Sequence, residues 1–327
     1  MSNGIKYKNF NNKSVSNIAY GCATLANIYN PISEYKSNDI ISFCYKNGIN
    51  YFDVAPFYGG GVAEQRLGIG ITNIPRDKIF IATKIGRYTD KESLSGAGGY
   101  FDFSPSKIEE SIKLSMKNIG INHIDLLQCH DIEYVNTKDI LDILPLLEHY
   151  RNIGIINSFG INTYPLDVLC DIINTTNIKI DSVGTYAQHT IINNTLNDYI
   201  PYFESKDIKV INSSPLGMGL LTDKGPPSWH PASKLMLNTV TDIKMLCNNN
   251  NNKIEEVSMI YSLNNSNILT TISGGNSIEE IRNNINFLDS KINDSFFKQI
   301  NAISSPIKNK LWGPENGVTP IQKWNYI

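Results

Sequence analysis

Cysteine is scarce in this 327-residue chain: five residues, an odd number at irregular spacing, with no Cys-x-x-Cys pair. That excludes a disulfide framework and predicts a reducing compartment, as for a cytoplasmic protein. Neither sign of charge is in excess, with 29 basic residues against 31 acidic ones. Such a balance gives no electrostatic footprint for nucleic acid or an anionic membrane surface. No run of about 18 apolar residues occurs, so no membrane span is expected. The opening, MSNGIKYKNFNNK, is polar and lacks the apolar stretch of a secretory signal. His123, His149, His189 and His230 lack metal-ligand spacing, and no metal is expected.

What is present is a large apolar fraction, 41%, enough to bury a sizeable core. Asparagine is abundant, and CNNNNNK at 247–253 reads as a surface loop. The stronger signal is alternation. Short β-branched runs recur at 17–21, 49–54, 78–84, 123–130, 155–162, 179–186, 207–214 and 267–275. Helical stretches separate them, for example around 37–47 and 62–71. Another, over 104–120, has Ser104 placed as N-cap and Pro105 at the first helical position, and one over 137–154 ends at a glycine. Strands joined by helices run parallel, and buried parallel strands read as continuous apolar runs. Eight such units predict an α/β fold, a (β/α)8 TIM barrel, as a single domain over 1–327. An open doubly wound sheet is the alternative, but the first strand leads into YGCATLANIY, which lacks the G-x-G-x-x-G fingerprint.

In a barrel the C-terminal strand ends share one face, and chemistry sits there. Asp53 ends the second strand and Tyr58 follows in its loop; Lys84 ends the third and His130 the fourth. Acid, phenol, lysine and histidine thus converge on one rim. A free tyrosine titrates near 10. An ammonium within about 4–6 Å favours the phenolate, so Lys84 is expected to make Tyr58 acidic, with Asp53 holding Lys84 and His130 orienting a substrate oxygen.

These residues resemble the aldo-keto reductases. DVAPFYGGGVAEQRLG (53–68), IATKIG and DLLQCH are similar to that family's aspartate–tyrosine, lysine and histidine segments, and the resemblance covers nearly the whole chain. VINSSPLGMGLLTDKGPPSWHPAS (210–233) and FDFSP (101–105) are similar to its L-galactose dehydrogenase and aldose 1-dehydrogenase branch. The resemblance implies NAD-dependent oxidation of an aldose, L-galactose-like or L-fucose or D-arabinose, at C1 to the lactone, with Tyr58 as general base. It also implies a dinucleotide over the top of the barrel. Asn162 and Thr163 stand where the family has the Ser-Asn pair that holds the nicotinamide amide. Ser213, Leu216 and Gly217 fall in the pyrophosphate loop, Ser213 replacing the family's stacking tyrosine. Gly274, Asn276, Ser277, Glu280 and Asn284 form the adenosine segment. Enzymes preferring NADP carry basic residues there; Glu280 would repel a 2′-phosphate, which favours NAD, although Arg282 lies within reach and NADP is possible. Two other readings stay open: an NADPH-dependent reductase of aldehydes or ketones, and a low-turnover cofactor-sensing subunit.

Tyr88, Gln188 and Trp229 are candidate substrate contacts beside Tyr58 and His130, His189 and His230 adjoin them, and 94–100 is a candidate flap. The expected partner is a small sugar. Cys129 adjoins His130, but neighbours on a strand face opposite sides, so Cys129 is expected in the helix-facing core.

Overall fold

The structure is a computed structural model that describes residues 4–89 and 98–314. It begins with an antiparallel hairpin, β1 (Tyr7–Phe10) and β2 (Lys13–Ser16). The turn residues Asn11 and Asn12 both have positive φ, 45° and 68°, as a two-residue hairpin loop demands. Then come β3 (Ile18–Gly21), α1 (Glu34–Lys46), β4 (Tyr51–Asp53), α2 (Val62–Ile71) and β5 (Phe80–Ile85). A second small hairpin, β6 (Arg87–Tyr88) with β7 (Tyr100–Phe101), precedes α3 (Pro105–Ile119). The chain continues through β8 (Leu126–Cys129), α4 (Thr137–Asn152), β9 (Phe159–Asn162), α5 (Leu166–Thr175), β10 (Ser182–Tyr186), α6 (Leu196–Ser205) and β11 (Lys209–Ser213). It ends with α7 (Lys234–Asn249), α8 (Ile254–Leu263), β12 (Thr270–Ser273), α9 (Ile278–Asn286) and α10 (Asp294–Ser304).

The eight strands β3, β4, β5, β8, β9, β10, β11 and β12 close into a parallel barrel, the (β/α)8 TIM fold read from the alternation. Each apolar run is represented by a strand, shorter than the run that signalled it. The helices exceed the eight expected: two, α7 and α8, lie between β11 and β12. The asparagine run does not begin as a loop, because Cys247 to Asn249 still belong to α7 and Cys247 is buried. Ser104 stands at the N-cap of α3, but its side chain makes no capping bond; its N–H donates instead to Asp102 Oδ1 at 2.8 Å. No helix among the described residues is long and apolar enough to cross a membrane.

Period-two alternation sorts the strand residues. Ile85, Leu127, Cys129 and Ile161 face the helices in one large core cluster, as expected for Cys129. Lys84 and Gln128 are register partners on the other face, and so are Asn162 and Gly184. The β1–β2 hairpin covers the N-terminal end of the barrel. Phe10 and Val15 join Ala19, Tyr51, Phe80, Leu126 and Ile211 in one buried cluster, with Phe10 and Phe80 ring centroids 5.6 Å apart.

Candidate active site

The loop after β4 answers why DVAPFYGGG is built as it is. Gly59, Gly60 and Gly61 have φ of 64°, 63° and 92°, a left-handed run that side chains with a β-carbon resist. It turns the chain back into α2 within a few residues and leaves Tyr58 standing on the rim. Asp53 is 3% exposed and Lys84 4% exposed, so this is a buried ion pair that needs further hydrogen bonds. It has them. Lys84 Nζ donates to Asp53 Oδ1 and, at 3.0 Å, to the Val54 carbonyl, while Gln128 Nε2 donates to Asp53 Oδ2 at 3.1 Å. Lys84 Nζ lies 5.0 Å from the centre of the Tyr58 ring. The His130 ring meets that of Tyr58 edge to face, centroids 5.9 Å apart at 89°. The four residues that strand ends predicted are thus brought together.

Their protonation differs from expectation in one respect. Burial pushes the Tyr58 phenol up to about 12; Lys84 pulls against this through charge and a hydrogen bond, and Asp53 and Asp131 add to the rise. The expected net acidic tyrosine is therefore corrected for the free protein: desolvation outweighs the ammonium. Tyr58 is itself only partly buried at the rim. Burial opposes a charged Lys84, but Asp53 overrides it and the lysine is held protonated, above its usual range. Burial, then the charges of Lys84 and Arg87, hold His130 well below the usual histidine range, so its imidazole is neutral.

Several neighbours were not singled out in the sequence. Gln128 sits two residues before His130, and period two alone puts it on the same face. Arg87 is 3% exposed and ion-paired with Asp131. Its guanidinium lies over the Phe57 ring at 4.0 Å. Glu133 is buried, accepting from the Tyr164 N–H and the Tyr186 hydroxyl, both at 3.2 Å. Burial first, and then the charge of Asp131, push its carboxyl up to about 8. The unfolded chain loses this proton near 4.5, so the contribution of Glu133 to stability is full below that pH and declines as pH rises towards about 8. Glu133→Gln keeps both acceptor bonds and is expected to flatten this decline. The gain at pH 8 over wild type should reach about 2–4 kcal/mol in denaturant titrations, and equal slopes in the two proteins would refute it.

The candidate substrate contacts sit in different surroundings. Tyr88 follows Arg87 on β6 and points the other way: its hydroxyl accepts the Gly86 N–H at 3.1 Å and Lys107 lies over its ring. Arg87, not Tyr88, faces the rim residues. Gln188 is 1% exposed and its Nε2 donates to the Tyr164 carbonyl at 2.8 Å, while its Oε1 is buried with no partner among the described residues. The buried His189 ring stacks on Tyr261 at 5.0 Å. His230 anchors its loop, with Nε2 3.0 Å from the Gly217 carbonyl and Nδ1 accepting from Ala232 N–H. Trp229 reaches across to Tyr29, centroids 6.3 Å apart. Of the candidate flap, residues 94–97 lie outside the described residues.

A dinucleotide fits the residues expected to hold one. Asn162 Oδ1 is buried with no partner, and it occupies the space beside Gly184, where a β-carbon would stand 2.3 Å away. An orphaned acceptor suits a carboxamide donor. Asn276 Oδ1 is likewise buried without a partner. Ser213 ends β11, its Oγ donating to the Thr185 carbonyl at 3.0 Å, and in the loop that follows left-handed Ser214 and Gly217 shape the turn around Leu216. Ser277 caps α9, accepting from Glu280 N–H at 3.1 Å, and Glu280 Oε2 accepts the Asn276 N–H at 2.6 Å. Ser277 and Glu280 thus bind on both sides of the helix start, and a carboxylate stands at its N-terminus. Asn284 braces the same loop from below, donating to Ser273 Oγ at 3.1 Å. Arg282 lies over the Phe43 ring on α1, at 5.3 Å.

The chain is similar to L-galactose dehydrogenase of Arabidopsis thaliana, 32% identical over 91% of this chain and 93% of the relative. It is 29% identical to D-arabinose 1-dehydrogenase of Saccharomyces cerevisiae, over 79% of this chain and 78% of that one. Among solved structures, an aldo-keto reductase from Bacillus halodurans superposes with a TM-score of 0.74, covering 94% of this chain and 98% of that one at 22% identity, which speaks to the fold. The model of the aldo/keto reductase family matches residues 17–305. The chain belongs to the aldo/keto reductase family of nicotinamide-dependent oxidoreductases.

Proposed function

We propose that this protein, a single barrel domain over residues 1–327, oxidises C1 of an aldose to the lactone with NAD. Its substrates would be L-galactose-like sugars, with L-fucose or D-arabinose as further candidates. The reading rests on the buried Asp53–Lys84 pair beside Tyr58 and His130, in a chain 32% identical to an L-galactose dehydrogenase over 91% of its length. Asn162, Thr163, Ser213, Leu216, Gly217, Gly274, Asn276, Ser277, Glu280 and Asn284 would hold the dinucleotide. When bound, it supplies the hydride acceptor and, oxidised, a cationic ring.

The chain's own residues handle the proton. Neutral His130 donates a hydrogen bond to the anomeric oxygen and orients it towards Tyr58. Tyr58 takes the hydroxyl proton as the C1–O double bond forms, and in the reverse direction returns it. Lys84 and any second positive charge at the rim lower the energy of the phenolate, while Asp53 and Gln128 keep Lys84 from moving. The carboxylate of Glu280 disfavours a dinucleotide that carries an extra phosphate.

The test is kcat/KM for L-galactose, L-fucose and D-arabinose with NAD and with NADP. Turnover of at least one sugar, with NAD preferred by about tenfold or more, is expected; that ratio is only about 1.4 kcal/mol of discrimination. Reduction of aldehydes with NADPH and no oxidation of any free sugar would overturn the reading, as would cofactor binding without turnover.

A further inference from the structure

We propose that Asp131, held in place by Arg87, is a positioning residue that keeps the single ring proton of His130 on Nε2. The donor is thereby presented to the substrate oxygen. The inference builds on the role given to His130 above.

A neutral imidazole carries one N–H and one bare nitrogen, and its surroundings choose which is which. Here the two nitrogens have very different neighbours. Nδ1 is buried and has no hydrogen-bond partner. Nε2 lies 3.5 Å from Asp131 Oδ2. A proton on Nδ1 would be a buried donor without an acceptor, and it would leave a lone pair on Nε2 facing a carboxylate. Both features are unfavourable. A proton on Nε2 removes both. The separation is at the outer limit of a hydrogen bond, so the carboxylate biases the proton without capturing it. The N–H stays available to an incoming oxygen.

The carboxylate is itself fixed. Arg87 Nη1 pairs with the same Oδ2. The guanidinium lies over two rings, Phe57 at 4.0 Å and Phe101 at 5.5 Å. Its Nη2 and Nε both donate to the Gly98 carbonyl, at 2.8 and 3.3 Å. The backbone of Asp131 adopts φ of 52°, a left-handed conformation that costs a residue with a β-carbon about 1 kcal/mol. That strain sits directly after His130, where it directs the carboxylate back towards the imidazole. The same Phe57 ring stands edge-on to His130, centroids 6.0 Å apart, so Arg87, Phe57 and His130 form one packed unit.

The test reads the proton directly. Long-range proton–nitrogen correlation spectra of the 15N-histidine-labelled protein separate the two neutral forms, and the signal of His130 among the five histidines is the one lost in His130→Gln. The wild type is expected to show Nε2–H with a bare Nδ1. In Asp131→Asn, Arg87 claims the amide oxygen and leaves the NH2 group facing Nε2. The proton should then move to Nδ1, and kcat for aldose oxidation should fall about 10–100-fold with KM changed far less. Should that variant fail to fold, Arg87→Met/Asp131→Asn removes both charges of the pair and is expected to populate both forms. An Nδ1–H form in the wild type, or an unshifted Nε2–H form in whichever variant folds, would overturn the inference. If the wild type oxidises no sugar, the proposed reaction fails, and the spectra still decide the tautomer.

Discussion

Tyr58→Phe is expected to lower kcat for sugar oxidation about a thousandfold, near 4 kcal/mol of transition-state stabilisation, and to leave folding and dinucleotide binding intact. Phenylalanine keeps the ring that packs against His130 and lies beside Lys84, and it removes only the proton-carrying oxygen. The wild-type pH profile should identify the same group. Oxidation needs the phenolate, so its rate should climb through the alkaline range; reduction needs the phenol and should hold level until the pH nears the tyrosine's own value. In the free protein that value is about 12. Positive charge bound at the rim lowers it, so the profile of kcat should break at a lower pH than that of kcat/KM. An unchanged kcat in Tyr58→Phe would remove this residue from the reaction.

Lys84→Met should damage the protein in two separable ways. Removing the ammonium strands the Asp53 carboxylate in the barrel, where among the described residues Gln128 is the side chain still donating to it, and this costs about 3–5 kcal/mol of stability. It also strips the phenolate of its neighbouring cation. Adding Asp53→Asn removes the stranded charge, and the amide oxygen can still accept from Gln128. The double variant should recover most of the lost stability and none of the activity. Denaturant midpoints and kcat measured on the same preparations check both halves; a Lys84→Met protein as stable and as active as wild type would refute them.

The barrel and the four rim residues were legible because both follow from simple periodicities. Strands buried on two faces leave continuous apolar runs, and the last residue of such a run lands on the shared rim. Tyr58 stood out by its glycine-rich turn. The β1–β2 hairpin was missed because its residues are mostly polar; the Asn11–Asn12 pair between Phe10 and Lys13 was the available turn signal. The surroundings of Tyr88 were not legible for lack of the β6–β7 pairing, which puts Arg87 and Tyr88 on opposite faces. Arg87 and Asp131 are 44 positions apart, and no periodicity joins them. The direction of the Tyr58 shift was misread because the sequence names the lysine but not the weight of protein packed around the phenol. Glu280 was read as a charge alone, although Ser277 three positions earlier is the N-cap that bonds its N–H, and Glu280 itself accepts from the Asn276 N–H.

The hairpin that seals the N-terminal end of the barrel has a kinetic consequence. Phe10 and Val15 lie buried in the cluster that fills this end, so on the proposed reaction the sugar and the dinucleotide would both enter from the opposite rim. Traffic through a dead-end chamber is last in, first out: the molecule lodged deeper arrives before its partner and departs after it. Product-inhibition patterns should therefore be lopsided, competitive for one product and mixed for the other, and symmetric patterns would refute the shared route.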